Sequence, residues 1–128
     1  ASADHGHRTY SLAGRVLAFT YPYFRYDVHA ADLLVKRMIP VVMGVGTRKL
    51  PPPDAWSQHA GEEFIYVLSG EVMLHTQLYA PLRLAQGDSA YIDSTMRHTF
   101  VRLSEAAASL ISICQTETLD IEDLTRGA

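Results

Sequence analysis

Cysteine is nearly absent from this sequence: Cys114 is the single one, so no disulfide can form within the chain. We interpret it as a small buried core residue. A lone thiol fits a reducing compartment, and we therefore expect a cytoplasmic protein. Long apolar runs are absent as well, since the stretch 39–46 is far shorter than the roughly 20 residues that cross a bilayer. The sequence accordingly predicts neither a disulfide framework nor a membrane segment.

An excess of positive charge is also missing. The 11 lysines and arginines are outnumbered by 14 aspartates and glutamates, which leaves a formal net charge of −3 at pH 7. Binding nucleic acid requires a positive surface that gathers phosphates, so we expect no DNA contact from these residues. Residues 1–7 lack the basic and then apolar pattern of a signal peptide. We interpret Ala1 as a domain boundary, so that further sequence would lie upstream of it.

Short apolar stretches separated by turn residues fill most of the chain. Its 128 residues, of which 48% are hydrophobic, suit one domain with a core at about 15–116. The predicted strands are 15–20, 36–45, 63–68, 71–77, 82–84, 89–92, 98–103 and 109–114. Many short strands at close spacing are typical of an all-β, antiparallel sandwich or barrel. We expect helical structure only as a turn near 30–34 and in the acidic tail at 118–125, and a tight hairpin at 69–70.

Three side chains are candidates for metal ligands: His59, Glu63 and His98. Ligand atoms about 2.1 Å from one ion lie roughly 3 Å from each other, whereas four extended residues span roughly 13 Å. His59 and Glu63 therefore cannot share one straight strand, and because Gly61 disfavours a helix, we expect a chain reversal at 60–61. Two imidazoles and a carboxylate hold Fe(II) in non-haem oxygenases and also suit catalytic zinc. The alternative is that these are surface polar groups beside a turn.

Four further side chains are candidates for a ligand pocket beside the metal: Ser57, Gln58, Tyr91 and Phe100. Ser57 and Gln58 offer polar groups for contacts with water or substrate. Tyr91 and Phe100 offer apolar walls, and Phe100 shares the strand parity of His98. For both aromatic residues, packing in the core or on the barrel exterior is the alternative.

The stretch 56–102 resembles the cupin superfamily. The matching positions are His59, Glu63 and Gly70 in the first motif, and Gly87, Asp88 and His98 in the second. Ser57 stands where the family pattern has its first histidine, and 93–94 replace an expected proline. The phosphonate epoxidases of the cupin group are similar in lacking that first histidine, and they keep an iron site. The resemblance implies a double-stranded β-helix, or jelly-roll barrel, that holds one divalent transition metal (Fe, Zn, Mn or Ni) through the two histidines and the glutamate.

A closer resemblance covers nearly the whole chain. The runs 25–45, 59–98 and 109–115 are similar to the cupin half of bacterial transcriptional regulators that carry an N-terminal helix-turn-helix of the xenobiotic-response-element type. This resemblance implies a domain that senses a small-molecule effector without turnover. It also implies a homodimer that contacts DNA only through a helix-turn-helix domain outside this sequence.

Two other functions are compatible with the same residues. The first is a mononuclear non-haem metal enzyme, such as a dioxygenase, an epoxidase or an isomerase, because three ligands leave coordination positions open to substrate. The second is a metal-free barrel whose role is dimerisation. In that case Val16, Leu17 and Phe19 would lie on an edge strand exchanged between two copies.

Overall fold

The computed structural model describes residues 6–115, and these residues form antiparallel β-strands with one short 3₁₀ helix. The strands are β1 (Leu17–Thr20), β2 (Phe24–Val28), β3 (Met38–Val45), β4 (Glu62–Ser69), β5 (Glu71–Thr76), β6 (Leu82–Ala85), β7 (Ser89–Asp93), β8 (His98–Arg102) and β9 (Ala108–Gln115); the 3₁₀ helix is Pro53–Ala55. One sheet has the strand order β1-β2-β3-β9-β4-β7, and the other has the order β6-β5-β8. The predicted all-β, antiparallel jelly-roll fold is confirmed.

The two sheets share one apolar core because their strands alternate between buried and exposed residues. Val41, Ile65, Val67 and Leu110 are almost completely buried and belong to β3, β4 and β9. Successive side chains of a strand point to opposite faces of the sheet. Glu63 therefore lies on the same inner face of β4 as Ile65 and Val67, and it is only 4% exposed.

The strand β2 is missing from the set predicted from the sequence. Its residues alternate strictly, since Phe24, Tyr26 and Val28 are buried while Arg25 and Asp27 point outward. A half-buried strand leaves this signature, but two charged residues in five lower the apparent hydrophobicity of the segment. The alternation, rather than the hydrophobic content, is the signal that identifies it.

The predicted hairpin at 69–70 is wrong, although the predicted left-handed glycine is present. β4 pairs with β7 and β9, whereas β5 pairs with β6 and β8, so the chain passes here from one sheet to the other. Gly70 has a φ of 74°. A Cβ atom added to Gly70 would lie 2.8 Å from Ser104 Oγ and 2.9 Å from Ala108 Cα. The position where the chain crosses between the sheets therefore has no room for a side chain.

The turn predicted near 30–34 is present in the described residues, but it does not continue into a helix. Residues 31–32 form a turn, closed by a hydrogen bond from Leu33 N to Ala30 O, and no helix follows it. The tail at 118–125 lies outside the described residues. No helix between residues 6 and 115 is long and apolar enough to cross a membrane.

Substituting Gly70 by alanine should destabilise the fold more than the same change at Gly87. Both glycines have positive φ, 74° and 88°, but a Cβ at Gly87 meets no atom within 4 Å. We expect Gly87→Ala to lower the free energy of unfolding by about 1 kcal/mol through backbone strain alone. Gly70→Ala adds a steric clash and should cost roughly 2 to 4 kcal/mol. If both variants lost the same free energy of unfolding in urea denaturation, the close packing of Ser104 and Ala108 against Gly70 would be unimportant for stability.

Candidate metal centre

Backbone hydrogen bonds tie together the segments that carry the predicted ligands. Ser57 and His98 exchange two hydrogen bonds, each 2.9 Å between N and O. His59 N donates to Ser94 O, and Ser94 N donates to Gly61 O, at 2.9 and 3.0 Å. Residues 60–61 form a bend in which Gly61 has a φ of 97°, so the chain changes direction where the reversal is predicted. The loop before β4 is thereby fixed against the start of β8.

The side chains of His59, Glu63 and His98 lie together inside the barrel. Nε2 of His59 and Nε2 of His98 lie 3.3 and 3.4 Å from the same atom, Oε1 of Glu63. All three residues are less than a tenth exposed. These separations exceed the roughly 2.7 to 2.9 Å of a charge-assisted hydrogen bond. The imidazoles therefore surround the carboxylate at distances that leave room for a shared cation.

The charges of this cluster depend on one another. Burial alone would raise the pKa of Glu63, but the imidazoles of His59 and His98 outweigh it and hold that pKa well below its usual range. Burial alone would lower the pKa of His98, but the carboxylate of Glu63 and the carbonyl of Met96 outweigh it and raise that pKa. In the absence of a metal, Glu63 therefore favours its carboxylate form, and His98 favours its protonated form.

The orientation of the His98 ring determines what faces the carboxylate. Nδ1 of His98 lies 2.9 Å from the carbonyl oxygen of Met96, and because a carbonyl only accepts, Nδ1 carries the hydrogen. In the neutral ring, Nε2 then presents a lone pair to Oε1 of Glu63, and two acceptors repel each other. A cation between them, either a proton on Nε2 or a metal ion, removes the repulsion. Histidine ligands of metals commonly donate their second N–H to a carbonyl in this way.

Cys114 joins the cluster, which sequence analysis did not anticipate. It is fully buried, as expected, but its Sγ lies 3.3 Å from Oε1 of Glu63 and 3.9 Å from Nε2 of His59. Candidate ligand atoms of Cys114, His59 and Glu63 all lie within 4.8 Å of one another. Glu63 and Cys114 are direct partners in the pairing of β4 with β9. Only this pairing, which joins residues far apart in sequence, brings the thiol to the carboxylate.

The cavity beside the cluster is very small. Its volume is about 20 Å³, which is space for about one water molecule. Phe24, Tyr26, Met43 and Phe100 are all buried and form much of its wall. Within residues 6–115, the hydroxyl of Tyr26 has no hydrogen-bond partner. The cavity is therefore tight, but it contains a polar group able to bind a water-sized ligand.

The four predicted pocket residues are divided between different places. Ser57 and Phe100 line the small cavity beside His98. Gln58 is exposed, and its Nε2 donates a 2.8 Å hydrogen bond to the carbonyl oxygen of Thr95. Tyr91 is 62% exposed and lines a separate, larger cavity together with Leu74 and Leu82. Alternation along β7 explains the position of Tyr91, because its neighbour Ile92 points inward.

In the metal-free protein, stability should depend on pH through Glu63 and His98. Glu63, whose pKa is lowered, contributes stability that is present above the pKa of an unfolded glutamate and is lost as the pH falls through its folded pKa. His98, whose pKa is raised, contributes stability that is present below the pKa of an unfolded histidine and is lost as the pH rises through its folded pKa. We expect the free energy of unfolding to be greatest between about pH 4.3 and 6.5.

Urea denaturation with a chelator present, repeated across this pH range, measures the effect. Glu63→Gln should flatten the profile, because it removes the carboxylate that raises the pKa of His98. Glu62→Gln is a matched control, since Glu62 is the exposed neighbour on the other face of β4. A profile for Glu63→Gln that coincides with the wild-type profile would contradict this prediction.

Comparisons with known proteins agree on the fold. The structure of hydroxypropylphosphonic acid epoxidase from S. wedmorenis in complex with fosfomycin aligns with a TM-score of 0.66 and 23% identity, over 84% of this chain and 59% of that one. KdgF from Halomonas sp. aligns with a TM-score of 0.66 and 12% identity, over 88% of this chain and 97% of that one. At these identities the likenesses show the fold alone, and this chain spans about three fifths of the epoxidase.

The family is shown by the sequence match rather than by these structures. No curated protein matches the chain. The family described as "Cupin domain" matches residues 42–114, which include every member of the cluster around Glu63. This stretch is more than half of the chain, and it contains the strands β4 to β8 complete. The chain therefore belongs to the cupin domain family.

Proposed function

We propose that this cupin domain binds one divalent transition metal through His59, Glu63 and His98 and acts as the small-molecule-sensing domain of a bacterial transcriptional regulator. One observation carries the metal site: Nδ1 of His98 is engaged by the Met96 carbonyl, so Nε2 faces Oε1 of Glu63 at 3.4 Å. A metal ion at this position would replace the proton that Nε2 carries in the ionised ring. Iron, zinc, manganese and nickel all accept two imidazoles and a carboxylate.

The residues of the cluster would each have a distinct part in holding the ion. Glu63 supplies the negative charge that offsets its desolvation, and His59 and His98 supply neutral nitrogen donors. Met96 orients the ring of His98, and burial excludes competing water. A bound divalent ion would supply Lewis-acid character to an oxygen or nitrogen atom that reaches it.

The size of the central cavity supports binding rather than turnover. A space of about 20 Å³ admits a water-sized ligand but no organic substrate, because Phe24, Tyr26, Met43 and Phe100 fill the barrel around it. None of the residues that line this cavity is a lysine or an arginine, so nothing there offsets the charge of a phosphonate. Both features support a sensor over an epoxidase.

We propose the cavity that Tyr91 lines as the place for the effector. Its volume is about 740 Å³, within the range of small-molecule sites, and it is lined mainly by apolar side chains, including Leu74, Leu82 and Tyr91. It shares Met96 with the metal centre, since Met96 lines this cavity while its carbonyl accepts the hydrogen bond from His98. An effector that shifts Met96 would therefore change the orientation of a metal ligand.

The remaining parts of this proposal come from the resemblance to regulators. They are a homodimer, a cytoplasmic location, and contact with DNA only through a helix-turn-helix domain upstream of this sequence. The position of β1 supports the homodimer, because it lies at the edge of the larger sheet and leaves one side of Leu17–Thr20 without a neighbouring strand in the described residues. Edge strands of this kind pair readily with a second copy.

A mononuclear non-haem metal enzyme is the second candidate. The chain aligns with a structure described as Fe(II) HppE, with a TM-score of 0.66 and 22% identity over 84% of this chain and 60% of that one. Three protein ligands also leave coordination positions open, which is the arrangement of catalytic rather than structural metal sites. This candidate requires the central cavity to open before a substrate reaches the ion.

Replacing His98 should abolish metal binding. We expect the wild-type protein, loaded with zinc or iron(II) and dialysed, to retain one ion per chain, and His98→Ala to retain only a small fraction of that amount. His75→Ala is a matched control, because His75 lies on the adjacent strand β5 and contacts Trp56 rather than Glu63. Elemental analysis of the three proteins gives the result. Full retention by His98→Ala would refute the proposed ligand set.

Turnover separates the two candidate functions. The iron(II)-loaded domain, given oxygen and hydroxypropylphosphonic acid, should consume neither, because the central cavity excludes the substrate. An oxygen electrode and phosphorus NMR monitor the two reactants. Oxygen uptake that depends on this substrate and disappears in His98→Ala would establish an enzyme and overturn the sensor proposal.

A further inference from the structure

Building on the proposed metal site, we infer that the Cys114 thiolate is a fourth ligand of the ion. The centre then has two nitrogen donors, one oxygen donor and one sulfur donor, from His59, His98, Glu63 and Cys114. A sulfur ligand makes the site selective for zinc, iron(II) or cobalt(II) over harder ions such as manganese or magnesium.

The separations among Glu63, His59 and Cys114 fit three edges of one tetrahedral ion, since their ligand atoms all lie within 4.8 Å of one another. Nitrogen and oxygen ligands at about 2.1 Å, and sulfur at about 2.3 Å, lie roughly 3.4 to 3.7 Å from one another in a tetrahedron. Oε1 of Glu63 lies 3.3 Å from His59 Nε2, 3.4 Å from His98 Nε2 and 3.3 Å from Cys114 Sγ. The distance from Cys114 Sγ to His59 Nε2 is 3.9 Å. Shifts of a few tenths of an ångström would bring the edges among Glu63, His59 and Cys114 to the ideal geometry, whereas the ring of His98, which lies outside that group, has to move further to join them.

The fold holds Cys114 at this position without competition from solvent. Its Cα is paired with that of Glu63 across β4 and β9, and its side chain is completely buried. The only other contact of Sγ in the hydrogen-bond network of the described residues is with Ser112 Oγ, at the long distance of 3.8 Å. Binding exchanges the S–H bond for a metal–sulfur bond and releases the proton to water, so the step needs no oxidant or reductant.

Cobalt(II) absorption spectroscopy tests the sulfur ligand directly. The wild-type protein loaded with cobalt(II) should show a sulfur-to-cobalt charge-transfer band in the near ultraviolet. Because the chain contains a single cysteine, that band reports Cys114 alone. Cys114→Ser should lose the band and bind cobalt(II) at least about tenfold more weakly, since loss even of outer-shell partners costs roughly that factor. Ser112→Ala, which alters the neighbour of the thiol, should keep the band.

The outcomes distinguish this inference from the proposed function. If the wild-type protein binds one cobalt(II) ion without the charge-transfer band, Cys114 is not a ligand, while the site of His59, Glu63 and His98 stands. If the wild-type protein binds no cobalt(II) or zinc, both proposals fail. X-ray absorption of the zinc-loaded wild-type protein gives the same answer without a variant, because a zinc–sulfur distance of about 2.3 Å is expected. Its absence would overturn the inference.

Discussion

A single carboxylate oxygen, Oε1 of Glu63, organises the polar interior of this barrel. Two imidazole nitrogens and a thiol lie 3.3 to 3.4 Å from it, and all of these groups are buried. A buried charge is costly unless it is paired, so each neighbour of Glu63 offsets part of the same desolvation energy. The strand pairings of β4 with β7 and β9 fix that oxygen inside the apolar core, and the geometry of the whole centre follows from its position.

Much of the fold follows from local features of the sequence. Short runs of apolar residues between turns predict antiparallel strands, and strand parity places Glu63 on the inner face beside Ile65. Strand pairing is harder to predict from the sequence, because it depends on contacts between residues that are far apart along the chain. Gly70 illustrates the limit: its left-handed conformation follows from the sequence, but nothing local decides whether the chain turns back within one sheet or crosses to the other.

The candidate site likewise has some features that the sequence predicts and others that it does not. Spacing and family resemblance select His59, Glu63 and His98, and the structure brings their side chains together. The approach of Cys114 depends on the register between β4 and β9, which no spacing in the sequence reveals. The volume of the central cavity likewise depends on how residues from β2, β3 and β8 pack against one another. Alternation along β7 puts Tyr91 on the face opposite the buried Ile92, so the outward orientation of Tyr91 could be predicted from the sequence.

The paired hydrogen bonds between Ser57 and His98 have a kinetic consequence. They join the loop that carries His59 to the strand that carries His98, so the two rings cannot separate unless these bonds break together. If the proposed centre holds an ion, opening of the segment from 57 to 61 would expose that ion to solvent. Its residence time would then depend on the rate of this local opening.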